Sequence, residues 1–214
     1  MSVGDVTNMA EGASEKRKHE TEKSKNDENP KKKFAGHWSQ GLLSSMDDPE
    51  LIVEKDDKMT IIKDKYPKAK YHFLVMPKET IPNLKSLKPD HLDLLKQFEE
   101  KGRALAKKTD AKLKFRFGYH AVPSMSHLHM HVISQDFNSP SLKTKKHWNS
   151  FTSEYFVDSH EVIKMLEKDG KVHFDVKDSK TLLEQELRCH VCKKQQKNMP
   201  TLKEHIKLHD YTID

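Results

Sequence analysis

The chain has 214 residues, 34% hydrophobic and 34% charged, with a mean hydropathy of -0.89 and a formal net charge of +6. That composition excludes one fully packed globule of this length and leaves a compact core with polar extensions. No apolar run approaches the ~18 residues that span a bilayer and no signal-peptide pattern opens the chain, so an intracellular protein with no membrane partner and an anionic ligand is expected.

Residues 1–33 carry scarcely anything apolar and are expected to be disordered. Within them Lys16-Arg17-Lys18 and Lys31-Lys32-Lys33 are basic clusters twelve residues apart, the layout of a bipartite nuclear import signal. A merely solvated charge run has the same composition. Trp38 lies in a polar Gly-His-Trp-Ser-Gln-Gly stretch, where a bulky aromatic is a local anchor unless the partner offers bases to stack on.

Leu51 to Glu54 and Met59 to Lys63 read as strands joined by a hairpin at Lys55 to Lys58, and Tyr71 to Met76 as a third strand stopped by Pro77. Asp90 to Lys108 is the one clear amphipathic helix, with Leu92, Leu95, Phe98 and Leu105 on its apolar stripe. Leu113 to His120 alternates as a strand that ends near Pro123.

The segment His127-Leu128-His129-Met130-His131-Val132-Ile133-Ser134 follows. Its alternation predicts one strand with three imidazoles on one face and Leu128, Met130 and Val132 on the other. A hairpin with the preceding strand would place the loop Ala121 to Ser126 at one end of the histidine face. On a straight strand His127 and His131 stand about 13 Å apart at Cα, too far for all three to close on one ion, so no catalytic metal is expected. A neutral imidazole attacks phosphorus near neutral pH, and flanking imidazoles can donate to phosphate oxygens. Nucleophilic phosphoryl chemistry therefore uses the whole row, with a face of structurally satisfied histidines as the bland alternative.

Beyond Ser134 the chain turns polar and basic through Lys143, Lys145, Lys146, His147 and Trp148. His160 to Lys168 reads as a short helix, and 170–178 is ambiguous. Seven glycines and no GxGxxG or P-loop argue against a glycine-rich phosphate cradle. Near the C-terminus, Cys189-x2-Cys192, twelve residues, then His205-x3-His209 presents two thiolates from a turn and two imidazoles from one helix face. Those four ligands close a tetrahedral shell, so one structural zinc per chain is expected, on a helix begun by Pro200 or Thr201 with Leu202 and Ile206 inward. A single finger reads only ~3 base pairs, which makes it an adjunct to the main domain.

The His-φ-His-φ-His-φ-φ run resembles the motif of the histidine-triad superfamily of nucleotide hydrolases and transferases. With Lys63 to His72, Gly118 to Ser126, Ser134 to Phe137 and Lys145 to Phe151, residues 34–212 look like the aprataxin family, which joins a triad domain to a C-terminal zinc finger. The resemblance implies an α+β histidine-triad fold with an antiparallel sheet and one main helix, followed by a ββα-like C2H2 finger. The layout expected is a basic tail over 1–33, the catalytic domain over 34–155, a connecting helix and linker over 156–186, and the finger over 187–214. It further implies a nuclear DNA repair hydrolase, found in nucleoplasm or nucleolus, that removes AMP from 5′-adenylated nicked or broken DNA ends, with AMP as product. Guanylated 3′ ends are a further substrate class to consider. By the motif, His129 is the nucleophile, His127 and His131 hold phosphate oxygens, and His72 assists from the neighbouring strand. Ser124, Lys146 and Lys68 match positions near the phosphates, and Trp38 an aromatic that stacks at the DNA end. Many relatives carry a forkhead-associated domain that recruits phosphorylated repair partners; it is absent from these residues, so that recruitment is not expected of them. Two other readings stay open: a phosphoramidase of small nucleotides, and a DNA-binding finger protein with a vestigial triad.

Overall fold

A computed structural model describes residues 41–174 and 179–213. The basic clusters and Trp38 lie outside the described residues. Six strands form one antiparallel sheet: β1 (Ile52–Lys55), β2 (Met59–Lys63), β3 (His72–Pro77), β4 (Phe115–His120), β5 (Met130–Ser134) and β6 (Phe156–Asp158), in the order β1-β2-β3-β5-β4-β6. The α-helices that follow β1 are α1 (Leu92–Thr109), α2 (Lys145–Thr152), α3 (Ser159–Asp169), α4 (Ser179–Glu184) and α5 (Met199–Ile206).

The period-2 patterns sort the sheet into two faces. Phe73 and Val75 of β3 and Met130 and Val132 of β5 point to one side, where Leu95, Phe98 and Ala106 of α1 and Val162 and Leu166 of α3 cover them. Gly102 lets α1 lie close on β5, since a Cβ there would stand 3.0 Å from both Met130 Cε and Val132 Cγ2. On the opposite face Ile133 joins Ala69, Phe137, Trp148, Phe151 and Phe156 with Leu187, Leu202 and Ile206 of the finger. The finger therefore packs on the histidine side of the sheet.

Leu128, Met130 and Val132 are buried on the α1 side, as the alternation requires. The strand itself is shorter than that alternation implies: it begins at Met130, and His127 has φ 85, in the left-handed region. The backbone N–H of His127 donates to Pro82 O (3.0 Å) and that of Leu128 to Ile81 O (2.7 Å), so residues 81–82 bend the chain before β5 starts. A non-glycine residue in that region costs on the order of 1 kcal/mol and occurs preferentially at functional sites.

Helix α2 and strand β6 were not foreseen. Thr144 caps α2 by accepting from His147 N (3.1 Å), and Trp148, Asn149 and Phe151 are its buried residues. Gly118 sits opposite both His131 and Asp158, and a Cβ there would meet Val157 O at 2.3 Å and Phe156 Cε1 at 2.6 Å. Gly118→Ala must push β6 away from β4, and thermal denaturation is expected to show a loss of about 3 kcal/mol. An unchanged midpoint would mean that β6 is free to shift.

Candidate active site

Strands β3 and β5 pair Leu74 with His131 and His72 with Ile133, which brings His72 and His131 into one cluster. His72 Nε2 and His131 Nδ1 are 2.9 Å apart. Their protonation follows from the partners. Lys68 N–H donates to His72 Nδ1 (3.1 Å), so His72 carries its proton on Nε2 and donates to His131 Nδ1. The proton of His131 is then on Nε2, a buried atom with no protein partner. This leaves a buried N–H donor without a protein acceptor.

The other two histidines are fixed by carbonyls. His127 Nε2 donates to Pro77 O (2.8 Å), and His129 Nδ1 donates to His127 O (2.8 Å). With its proton held on Nδ1, His129 keeps the Nε2 lone pair for attack. The His129 and His131 rings stand 5.0 Å apart at 79°. The bend at His127 aims its carbonyl back at His129, which a continuous strand would direct to its neighbour in the sheet.

The sequence reading passed over His120. It lies on β4 two residues from Gly118, on the face that meets β5, and its ring is 4.5 Å from His131 and 4.6 Å from Phe151. Its Nε2 is also buried without a protein partner. The signal was present in the alternation of β4, but the register that sets Gly118 against His131 was not.

Burial disfavours the charged form throughout the cluster. It pushes His72 down to about 4 against the pull of Asp64, lowers His129, and holds His120 and His131 well below the ordinary imidazole value of 6.5. Lys68 at the edge is also lowered, first by burial and against the pull of Asp64. The folded protein thus keeps these imidazoles neutral while the unfolded chain protonates them near 6.5. Stability is therefore complete above about pH 6.5 and lost as pH falls toward 4, with His72 alone contributing about 3 kcal/mol. Denaturation midpoints measured from pH 7.5 to 4.5 should fall steadily; a flat profile would contradict the neutral cluster.

Asp64 contributes a carboxylate beside His72 and His131, and the ligand atoms of the three lie within 4.8 Å of one another. Strand geometry alone did not anticipate this group. Both His72 nitrogens are engaged, one by Lys68 N–H and one by His131, and Asp64 Oδ1 accepts from Tyr66 N (2.7 Å).

The remaining candidates are less closely gathered. Ser124 is exposed on the loop before the triad. Lys146 Nζ pairs with Glu184 Oε1 at 2.8 Å, on exposed surface. In the finger the ligand atoms of Cys189, Cys192, His205 and His209 converge within 4.8 Å. Cys189 Sγ lies 3.3 Å from His209 Nε2, Cys192 Sγ 3.1 Å from His205 Nε2, and the two Nε2 atoms are 3.2 Å apart. Bonds of 2.0–2.3 Å to a tetrahedral zinc would make the edges about 3.3–3.8 Å, so the four donors fit that ion with little adjustment.

Residues 37–147, just over half of the chain, match the family "Scavenger mRNA decapping enzyme C-term binding", and residues 152–210 match a C2HE / C2H2 / C2HC zinc-binding finger. Aprataxin from Danio rerio is 57% identical over 182 residues, 84% of this chain and 56% of that protein. An aprataxin-like protein from Saccharomyces cerevisiae is 31% identical, with 80% of this chain aligned to 95% of it. The chain belongs to the aprataxin family. It spans about half the length of the vertebrate relatives it matches. Among solved structures, Hnt3 in complex with DNA and guanosine is 25% identical, with a TM-score of 0.52 over 78% of this chain and 92% of that one. A second, the aprataxin ortholog Hnt3 in complex with DNA, shares the fold with a TM-score of 0.55 over 82% of this chain and 94% of that one. The family's triad fold and finger thus coincide with the sheet and the Cys2His2 cluster seen here.

Proposed function

We propose that this chain hydrolyses 5′-adenylated DNA ends through an AMP–His129 intermediate. The observation that carries the reading is the tautomer set: His129 Nδ1 donates to the His127 carbonyl, which leaves its Nε2 free beside the unpartnered Nε2–H of His131. His129 Nε2 attacks the adenylate phosphorus, a P–N bond forms, and the P–O bond to the DNA 5′-phosphate breaks. The leaving group is a phosphate, so it departs with little help from a general acid. Water then cleaves the P–N bond, AMP is released and its proton passes to solvent. The neutral N–H of His131, and Lys68 at the edge, meet the charge that develops on the phosphate oxygens. Nothing in this sequence of steps calls on a catalytic metal.

A DNA substrate is supported by family membership, by Hnt3 having been solved with DNA, and by the net charge of +6. Cys189, Cys192, His205 and His209 would hold one structural zinc, and the clusters at 16–18 and 31–33 would direct the chain to the nucleus. Lys146, Ser124 and Trp38 remain candidate contacts to the substrate, with Lys146 first having to leave Glu184. A small-nucleotide phosphoramidase is the rival, because the same tautomers serve it equally. Purified protein is given a nicked duplex carrying a 5′-adenylate, and separately adenosine 5′-phosphoramidate, with no added divalent cation. AMP release with strong preference for the duplex supports the proposal, and equal or better turnover of the phosphoramidate moves the assignment to the rival.

A further inference from the structure

The finger contains a histidine that its metal does not need. His190 stands between Cys189 and Cys192, while the four convergent donors are Cys189, Cys192, His205 and His209. Its ring is nonetheless half-buried among aromatic rings. It lies parallel to Tyr211 (5.5 Å, 7°) and meets the edges of Phe137 (5.0 Å) and Trp148 (5.3 Å). Its Nε2 donates to the backbone carbonyl of Gln135 at 2.9 Å, the residue that directly follows β5. Nδ1 is buried without a partner, so among the described residues the ring's hydrogen bond runs from Nε2 to Gln135 O.

That carbonyl lies at the corner that registers the active site. Gln135 N donates to Lys114 O (3.0 Å), and its side chain donates to Ile133 O (3.2 Å). One residue earlier, Ser134 N donates to Tyr71 O (2.9 Å) while Tyr71 N donates to Ser134 Oγ (3.0 Å). Tyr71 precedes His72, and Ser134 lies three residues after His131. The β3–β5 ladder and the Ser134–Tyr71 bonds set how far β3 slides along β5, and with it the 2.9 Å pair of His72 and His131, and His190 anchors the residue directly after them. Trp148 reinforces the seat by donating Nε1 to Arg188 O (2.9 Å).

We propose that His190 is a positioning residue for the triad: its N–H fixes the end of β5 and so keeps the His72–His131 pair in register for the chemical step. The finger then acts on turnover as well as on substrate binding. The inference rests on the hydrolytic reading above, and its experiment separates the two.

His190→Phe keeps the ring contacts and removes the donor, whereas His190→Gln keeps an N–H donor of similar reach. Each zinc-loaded chain of residues 1–214 is assayed on the adenylated duplex and on adenosine 5′-phosphoramidate, which is too small to bridge to the finger. In parallel, imidazole nitrogen signals of His72 and His131 are recorded by NMR. The expected result for His190→Phe is a kcat about tenfold lower on both substrates, because small misplacements of reacting groups are costly. KM for the duplex should stay within about twofold, the split expected when binding is untouched. The His72 and His131 signals should shift, and His190→Gln should restore both measures. A raised KM with kcat and signals unchanged would overturn the proposal and leave the finger as a binding element. So would a loss of kcat that His190→Gln does not recover. Should the parent hydrolyse neither substrate, the hydrolytic reading fails by itself and the NMR signals decide: shifts reversed by His190→Gln uphold the positioning role, and unchanged signals reject it.

Discussion

His129→Ala is expected to abolish AMP release from adenylated DNA, lowering kcat by ~10⁴-fold or more, the range seen when a covalent nucleophile is deleted. The reasoning is stereochemical. Among the triad imidazoles, only His129 has its Nδ1 proton committed to a backbone carbonyl and its Nε2 left as a lone pair. His127 spends Nε2–H on Pro77 O, and His131 accepts from His72 at Nδ1 and presents a donor, not a lone pair, at Nε2. His131 cannot substitute for it without reversing a buried hydrogen bond, and His127 has its lone pair on Nδ1, not on Nε2. Ala also removes an imidazole that burial already strips of charge, so the fold should survive the change, and the circular dichroism spectrum should match the parent. Trapping tests the same point: radioactive AMP should remain on the parent after denaturation at alkaline pH, where a P–N bond to imidazole survives, and be absent from the variant. Residual turnover within tenfold of the parent would remove His129 from the nucleophile's role.

Much of this site was legible in the sequence, and what was missed has identifiable physical causes. The strands β1 to β4, helix α1 and the finger followed from periods of 2 and 3.6 and from ligand spacing, all of which are local. The triad strand was drawn three residues too long because alternation records side-chain polarity and not φ. The bend at His127 is imposed by Ile81 and Pro82, almost fifty residues upstream. Helix α2 escaped because Lys-Lys-His-Trp-Asn-Ser-Phe-Thr is too polar to read as an amphipathic stripe; its burial comes from the finger and from the C-terminal end of α4, where Leu183 O and Gln185 O accept from Asn149. His120 required the β4–β5 register, and Asp64 the return of the chain beside β3. Lys146 illustrates the reverse case. Resemblance places it near phosphates, but its amine rests on Glu184, an exposed pair of the kind that contributes at most about 1 kcal/mol and yields readily to an anionic ligand.

Cys189→Ser should cost the chain its zinc and a large part of its stability. The parent is expected to carry about one zinc per chain and the variant close to none, measured by elemental analysis after dialysis. Isolated fingers draw on the order of 10 kcal/mol of folding energy from the metal. This finger is not isolated: Leu202 and Ile206 of α5 are buried with Ile133, Phe137 and Trp148, so packing retains part of its structure when the ion is lost. A net loss of about 4 kcal/mol is therefore the reasonable expectation, and for a domain of this size it lowers the melting temperature by roughly 8–16 °C. Cys189 is the more telling of the two cysteines, since it is fully buried against the sheet side of the finger while Cys192 is exposed. Its serine replacement leaves a buried hydroxyl facing three ligands that no longer share an ion, and the two imidazoles 3.2 Å apart lose the charge that holds them together. A variant that melts within about 2 °C of the parent, less than 1 kcal/mol for this size, would show that packing on β5 and α2 holds the finger without its metal.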